Sequence, residues 1–362
     1  MKLFGHSKLS SYLGVDIGSG GVKVVELAME KNRMRLLTYG YAEQPADAPL
    51  VPLDHPKETA ALLREVMKKA GVKTSVAISA LPLSSVFSAI VSVPQQKDQS
   101  RLKQDIQDQV RKLAPMPLEE MITYSTFVDP VQKPEKRPSP ESVATEKTVG
   151  KTVRVLVTGS GKKVVQKYIE IFKQAKLELK ALDVESFAFI RSLVGKDKTS
   201  ILIVDIGARR SNMVIVEKGL PFFTRSVNMG GDQLTHQMMS QMKLEREAAE
   251  QMKRDLGLGT VTQIPKFMET FLQPLLNEIR YSLERYIGMD PREHRQVEKV
   301  ILTGGSAHLF HLSSYLADRL NMNVYVGDPW ARVISHPSLR PVLDEIGPRM
   351  AVAVGLAMRE GE

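Results

Sequence analysis

The chain of 362 residues contains no cysteine and a single tryptophan. Without cysteine it has no disulfide bond, no thiolate metal ligand and no cysteine nucleophile, and a reducing compartment is expected. Its longest apolar run, residues 350–358, falls well short of the roughly 18 residues that span a membrane. The first ten residues also lack the apolar core of a secretory signal. Together these absences predict a cytoplasmic protein.

Basic residues outnumber acidic ones, 50 Lys and Arg against 41 Asp and Glu, which gives a formal net charge of +9. The basic residues are scattered over segments that also carry Asp and Glu, and no aromatic-basic motif of RNA-binding domains is present. This pattern favours a solvated surface of mixed charge and predicts no nucleic-acid partner. Attraction to an anionic membrane surface is the second interpretation.

The length exceeds what one hydrophobic core usually organises and predicts two domains or four small subdomains. Predicted strands alternate with helices, which indicates an α/β fold. Helices are predicted over 57–70, ending at Gly71, over 232–256 with an interruption near Lys243, and over 349–359. Residues 83–175 differ, because their strand-helix-strand-strand-helix pattern indicates a small inserted α+β subdomain. Within it, residues 129–151 are polar and proline-containing, and we predict a flexible loop there.

Two copies of Asp-Ile-Gly, at 16–18 and 205–207, each end an apolar strand and are followed by another strand. Both predict a β-hairpin with a carboxylate at the bend. The two copies lie about half the chain length apart. This spacing suggests two related halves that face one another across a ligand.

The first of these hairpins has the composition of an anion-binding turn. Gly18 and Gly20 let backbone N–H groups approach an anion, and Lys23 follows at a distance suited to a phosphate. A Rossmann or Walker loop would lead into a helix, whereas Val22 and Val24 here continue as a strand. Those two fingerprints therefore do not fit, and the plainer alternative is an ordinary glycine-rich hairpin.

Three carboxylates are candidates for metal binding and catalysis. Asp16 and Asp205 on opposing hairpins would suit a hydrated Mg²⁺ held through water, although each could instead cap its own turn. Glu185 begins a predicted helix after a strand. It could orient a water toward a γ-phosphate or simply complement the helix dipole, and both interpretations stay open.

Two further features suit a nucleoside. Gly304 and Gly305, between a strand and a helix, would let a purine or an α-phosphate lie against bare backbone. Glu250, Lys253 and Arg254 fall on one face of a predicted helix. They could clamp ribose and adenine or form an exposed ion pair.

Taken in order, five segments resemble the actin-like ATPase superfamily. They look like its first phosphate loop, first connecting segment, second phosphate loop, adenosine loop and second connecting segment: 16–23, 181–189, 205–212, 302–306 and 350–356. The position of the insert is similar to that in the FtsA and PilM branch. Within this branch, the segments 113–120, 181–187 and 326–330 resemble the PilM family of type IV pilus machines.

This resemblance implies an actin-like, ribonuclease H-like duplicated two-domain fold. The first domain would comprise residues 10–82 and 176–200 with a C-terminal helix at 341–362, and the insert would occupy 83–175. The second domain would comprise 201–340, including a helical subdomain at 233–290. The resemblance also implies an ATP-binding scaffold at the inner face of the bacterial inner membrane. It would hold the cytoplasmic N-terminal tail of a PilN-like membrane protein, with other pilus platform or motor proteins and self-association as further contacts.

The resemblance also assigns roles to residues. Asp16, Glu185 and Asp205 would be catalytic, and Asp16 and Asp205 would hold Mg²⁺ through water. ATP would contact residues from both loops, the helix and the adenosine loop: Gly18, Ser19, Gly20, Lys23, Gly207, Ser211, Asn212, Glu250, Lys253, Arg254, Gly304 and Gly305.

The second loop departs from the family pattern, because Arg209 and Arg210 stand where small or hydroxylated residues are expected. Ser211 and Asn212 would then supply the side-chain contacts, and we expect binding with at most slow hydrolysis. Two other functions remain as alternatives. An FtsA-like cell-division tether would need a C-terminal amphipathic helix, which we do not expect here, and a sugar or acyl kinase would transfer phosphate to a metabolite.

Overall fold

The computed structural model describes residues 11–43, 52–96, 98–128, 152–258, 266–289, 295–309 and 311–359. The predicted loop at 129–151 and the first ten residues lie outside this part of the chain. Across the described ranges, no helix is long and apolar enough to cross a membrane.

The structure contains strands and helices in alternation. The strands are β1 Ser11–Gly18, β2 Gly21–Glu30, β3 Arg33–Glu43, β4 Val76–Leu81, β5 Val86–Pro94, β6 Met121–Phe127, β7 Thr152–Gly161, β8 Glu178–Val184, β9 Ile201–Ile206, β10 Ser211–Glu217, β11 Leu220–Val227, β12 Lys299–Thr303, β13 Asn323–Val326 and β14 Val333–Ile334. The helices are α1 Pro56–Ala70, α2 Gln99–Leu113, α3 Lys162–Ala175, α4 Glu185–Phe189, α5 Gly231–Met242, α6 Arg246–Leu258, α7 Lys266–Ile287, α8 Leu312–Leu320 and α9 Arg340–Ala357.

Two of the sheets repeat one topology. The first has the order β14-β3-β2-β1-β4-β8, and the second has the order β11-β10-β9-β12-β13. In each, three antiparallel strands joined by hairpins are followed by two strands parallel to the first of the three. This repetition agrees with the duplicated halves expected from the two Asp-Ile-Gly copies.

Helix α9 packs on the first sheet at very short range. A Cβ atom at Gly14 of β1 would lie 2.0 Å from the carbonyl oxygen of Ala353, and one at Gly355 would lie 1.9 Å from that of Ala188. Met350, buried with the small residues around it, completes this core. The glycines are therefore required for backbone to lie directly against backbone.

The chain divides into two compact units, Met1–Ser84 with Val165–Glu362, and Ser85–Val164. The second unit contains a three-stranded sheet of order β5-β7-β6, with α2 packed on it. Helix α2 begins at an N-cap, Asp98, whose side chain accepts the N–H of Ser100 at 2.9 Å. It buries Leu102 and Val110 against the valines of β5 and β7.

Several element predictions agree with the structure. Helix α1 ends where Gly71 adopts a left-handed conformation, and the helical stretch after residue 231 is interrupted at Lys243, which is also left-handed. The helical pattern alone predicts a last helix from residue 349, whereas the resemblance implies one from residue 341. Helix α9 begins at Arg340 and contains Pro348, so the start taken from the pattern alone is wrong. Pro348 has no backbone N–H, so the carbonyl oxygen of Asp344, four residues earlier, receives no helical hydrogen bond from it. That oxygen lies 3.3 Å from Nε2 of His308. Strands β11 and β14 were not predicted.

Candidate nucleotide-binding site

The bends of the two Asp-Ile-Gly hairpins lie against each other. A Cβ atom placed at Gly20 would lie 3.2 Å from the Cβ of Ala208 in the second bend. At Gly18, such an atom would lie 3.5 Å from Nζ of Lys23. Glycine therefore keeps the space between the two bends clear of side chains, as a phosphate cradle requires.

Asp16 and Lys23 form an ion pair inside this space. They are cross-strand neighbours in the β1–β2 hairpin, and Nζ of Lys23 lies 2.7 Å from Oδ2 of Asp16. Burial alone would lower the pKa of Lys23, but the adjacent carboxylate of Asp16 outweighs it and holds that pKa above its usual value. Lys23 is therefore charged near neutral pH.

Asp205 is positioned by a second cross-strand pair. Nδ2 of Asn212 donates to Oδ2 of Asp205 at 2.9 Å, and the two residues are neighbours in the β9–β10 ladder. Burial raises the pKa of Asp205 to about 6, against the opposing effect of the Asn212 hydrogen bond. Gly304, with φ of 88°, lies so close that a Cβ there would be 2.5 Å from Oδ1 of Asp205. Thus the predicted adenosine loop reaches the second carboxylate.

Glu185 is the first residue of α4, and its carboxylate accepts the N–H of Leu83 at 2.9 Å. Burial, with the negative charges of Asp16 and Asp205, raises the pKa of Glu185 to about 8. The side chain is therefore mostly protonated at neutral pH. Beside it, the buried hydroxyl of Tyr168 has no hydrogen-bond partner within the described part of the chain. Burial and the charges of Glu185 and Asp16 raise the pKa of that hydroxyl.

Two residues of the predicted nucleoside clamp lie on α6 and contact the first turns of α5. Lys253 and Glu250 form an ion pair at 2.7 Å, and both bind the hydroxyl of Thr235, at 2.8 and 2.6 Å. A Cβ atom at Gly231 would lie 2.5 Å from Oγ of Ser306 and 3.5 Å from Nζ of Lys253. Helices α5 and α6 and the adenosine loop therefore meet around Gly231, where there is no room for a side chain.

Arg254 lies apart from this cluster. Its side chain is exposed and lies 3.4 Å from Oε1 of Gln251 on the same helix. Gly305 of the adenosine loop has open space around it, since a Cβ there would meet nothing within 4 Å. The role assigned to Arg254 stays a prediction without a neighbour from the site.

The second bend carries the two unexpected arginines, Arg209 and Arg210, and Arg209 shares a carboxylate with Arg246 of α6. Nε of Arg209 and Nη2 of Arg246 both lie 3.4 Å from the carboxylate of Asp232, in the first turn of α5. Ser211 is fully buried, and its hydroxyl donates to the carbonyl oxygen of Met229 at 2.7 Å. Ser211 therefore anchors the bend, and its contact with ATP stays a prediction.

Gly207 and Ser19 complete the set of predicted site residues. The N–H of Gly207 donates to Arg210 and its carbonyl accepts from Gly231, each at 2.9 Å, which ties the second bend to α5. Ser19 stands in the two-residue turn of the first hairpin, where its side chain is half-buried.

Sequence reasoning missed four residues of this region: Tyr168, Asp232, Thr235 and Arg246. A signal for Asp232 was available, because it follows two glycines at the predicted start of a helix. No signal marked Tyr168, which occupies an ordinary apolar position of an amphipathic helix and reaches the carboxylates only through tertiary packing.

The residues present fit a magnesium nucleotide. Magnesium keeps several of its waters and needs only one or two carboxylates, which Asp16 and Asp205 provide. Among the described residues there is no cluster of three or more metal-ligating side chains. The ammonium group of Lys23 and the glycine-lined gaps supply a counter-charge and space for phosphates.

Comparison with known proteins agrees with this geometry. A solved structure described as a PilM–PilN type IV pilus biogenesis complex is 26% identical with a TM-score of 0.80, over 97% of this chain and 98% of that one. The structure of MreB 5 of Spiroplasma citri bound to AMPPNP is 10% identical with a TM-score of 0.51, over 95% of this chain and 94% of that one, and shows the fold alone. Cell division protein FtsA of Bacillus subtilis (strain 168) is 25% identical over 195 residues, or 48% of this chain. The match spans only 44% of FtsA itself.

The family comparison covers nearly the whole chain. A family model described as type IV pilus assembly protein PilM matches residues 14–361, which include both hairpins, the insert and the adenosine loop. The fold is accordingly the actin-like one, with an additional α+β unit. The chain belongs to the PilM family of type IV pilus assembly proteins.

Proposed function

We propose that this protein is an actin-like scaffold of type IV pilus assembly, which binds Mg-ATP and holds the cytoplasmic tail of a PilN-like membrane protein. The observation that carries the proposal is the meeting of the two hairpin bends, with the Asp16–Lys23 pair and Asp205 in one buried cluster. The similarity over 97% of the chain to the structure of a PilM–PilN complex supports the choice of partner. The similarity to FtsA covers only about half of the chain, so it supports the alternative function of a cell-division tether less strongly.

In this proposal Lys23 and the N–H groups of the first bend neutralise phosphate charge. Asp16 and Asp205 orient the waters around Mg²⁺, and Asn212 holds Asp205 in place. Glu250 and Lys253 face the nucleoside. Bound Mg-ATP would supply an activated γ-phosphoryl group and a divalent counter-ion.

We propose binding with at most slow hydrolysis. A group that orients or deprotonates an attacking water should be ionised at working pH, whereas the pKa of Glu185 is about 8. Arg209 is held by Asp232, which weakens its attraction to phosphate. Both features favour a protein that uses ATP to fix its conformation.

The proposed docking site for the tail is a groove of the second unit. A cavity of about 460 Å³ lies between α2 and the sheet, with an apolar lining that includes Ile106, Phe127 and Val157. Strand β6 is the edge of the sheet, so its outer backbone groups can pair with an added strand. An extended tail with apolar side chains at alternate positions fits this arrangement.

Calorimetry with a synthetic peptide of the PilN-like tail tests the docking site. We expect Ile106→Asp and Phe127→Asp each to weaken binding about tenfold or more, because a carboxylate would replace apolar contact. Ile169→Asp is the matched control, since Ile169 is an exposed isoleucine of α3 outside the groove. Equal affinity for all three variants would remove the groove from the proposal.

A further inference from the structure

We propose that the edge of the first sheet opposite the nucleotide site binds the surface of an anionic lipid bilayer. The surface in question, called here the basic edge, is formed by six side chains: Lys31, Arg33, Lys68, Lys73, Lys173 and Lys176. All six are exposed. The proposal goes beyond the binding of ATP and of a partner tail, because it requires neither.

Strand direction brings these residues to one edge. Strands β1, β3, β4 and β8 run parallel, so the turns and loops that precede them lie together. Lys31 lies in the β2–β3 turn and Arg33 begins β3, whereas Lys73 precedes β4 and Lys176 precedes β8.

The helices α1 and α3 end at this same edge and contribute Lys68 and Lys173. The two helices are neighbours, because Nη1 of Arg64 donates to the carbonyl oxygen of Gln174 at 2.5 Å. The loops are joined by the N–H of Glu178, which donates to Ser75 at 2.9 Å. Asp16 and Glu185 lie near or just after the ends of β1 and β8, at the opposite edge.

The cations of the basic edge are not neutralised by acidic neighbours. Within the described ranges none of the six forms an ion pair, whereas nearby Arg35 and Lys69 are paired with Glu30 and Glu65. Favourable interaction with a helix C-terminus explains Lys68 and Lys173. It does not explain the loop cations, which are exposed and form no ion pair with another described residue.

The layout fits a surface of many anions better than one small anion. The positions run from β3 to β8, five adjacent strands, or about 19 Å at the usual strand spacing. A phosphate ion would need donors that converge on one point, whereas a lipid surface presents charges over such a width.

A nucleic acid is the less suitable partner. Stacking of bases needs exposed aromatic rings. The aromatic side chain at the start of β1, Tyr12, is half-buried and covered by Lys180, whose Nζ lies 4.5 Å from the ring centroid.

Vesicle co-sedimentation of the full chain tests the proposal. At low ionic strength we expect binding to vesicles containing phosphatidylglycerol and none to phosphatidylcholine alone. Each lysine near such a surface contributes a factor of about five to partitioning. A triple variant, Lys31→Gln with Lys73→Gln and Lys176→Gln, should therefore bind about a hundredfold more weakly.

The matched control is Lys112→Gln with Lys163→Gln and Lys243→Gln, which removes the same charge from exposed positions that do not belong to the basic edge. It should bind vesicles like the wild type, and Mg-ATP affinity should be unchanged in both triple variants. The proposal is overturned if the wild type ignores anionic vesicles or if both triple variants lose binding equally. It is also overturned if the edge variant loses only affinity for a duplex oligonucleotide.

Discussion

Nζ of Lys23 lies 2.7 Å from Oδ2 of Asp16, and only 8% of the Asp16 side chain is exposed. The two residues face each other across the first hairpin, so the backbone register itself fixes the pair. The pair places one positive and one negative charge where the proposed function requires a phosphate contact and a magnesium-water contact. Its state with and without nucleotide is therefore central to the account.

Replacing Lys23 with Met should destabilise the protein by about 3 kcal/mol, because the buried carboxylate of Asp16 would lose its counter-charge. Combining Asp16→Asn with Lys23→Met should recover most of that loss, since no charge is then left unpaired. Denaturant unfolding of the two variants and the wild type measures both values. Equal stability of the single and double variants would show that the ion pair is unimportant to folding.

Glu185→Gln should change how stability depends on pH. The pKa of Glu185 rises from 4.5 to about 8 on folding, so the folded state binds the extra proton between these values. Wild-type stability due to this group is thus present at low pH and falls as pH rises toward 8.

The glutamine variant lacks this dependence. Relative to the wild type it should gain about 4 kcal/mol between pH 4.5 and 8, within a factor of two. Unfolding by denaturant across this range gives the comparison. Parallel pH profiles for the two proteins would mean that Glu185 is ionised in the folded state.

Asp232→Asn should tighten binding of ATP about three- to tenfold, because Arg209 and Arg246 would keep their charge without an internal carboxylate. The cost in stability should be below about 1 kcal/mol, since both contacts are long and partly exposed. Arg209→Gln should act in the opposite direction on affinity. Unchanged affinity in both variants would place these arginines outside the reach of the nucleotide.

Gly355→Ala should destabilise the fold by about 3 kcal/mol or more, because the new methyl carbon would lie 1.9 Å from the carbonyl oxygen of Ala188. Helix propensity alone would favour alanine by about 1 kcal/mol. The sign of the change in unfolding free energy therefore distinguishes the effect of packing from that of propensity. Gly305→Ala is the control for stability, since a methyl carbon there would meet no atom within 4 Å. Thermal unfolding that leaves Gly355→Ala as stable as the wild type would refute the close approach of α9.

The repeated hairpins could be predicted from sequence because their signals are local. An apolar strand, a turn that contains glycine and a β-branched strand follow one another within 20 residues or fewer, and the structure has β1–β2 and β9–β10 there. The facing of Asp16 and Lys23 is a consequence of the tight turn. Its meaning as an ion pair was not predicted, because a lysine after a glycine turn was interpreted only as a phosphate ligand.

The parts that could not be predicted depend on tertiary contact. Tyr168 lies 17 residues before Glu185 in the chain, and nothing local links the two. The helical pattern alone places the start of α9 too late, although the resemblance implies a helix from residue 341. Pro341 sits in the first helical turn, and Pro348 is accommodated inside the helix. Arg246 was not predicted, since helical spacing alone cannot tell which arginine of α6 faces α5.

Isothermal titration of Mg-ATP into the wild type and the Asp16→Asn, Lys23→Met double variant tests the central claim most directly. The account predicts saturable binding to the wild type and at least a tenfold loss in the double variant, even though that variant should remain folded. Absence of binding to the wild type at millimolar nucleotide, or equal affinity in the two proteins, would contradict a nucleotide site between the two hairpins.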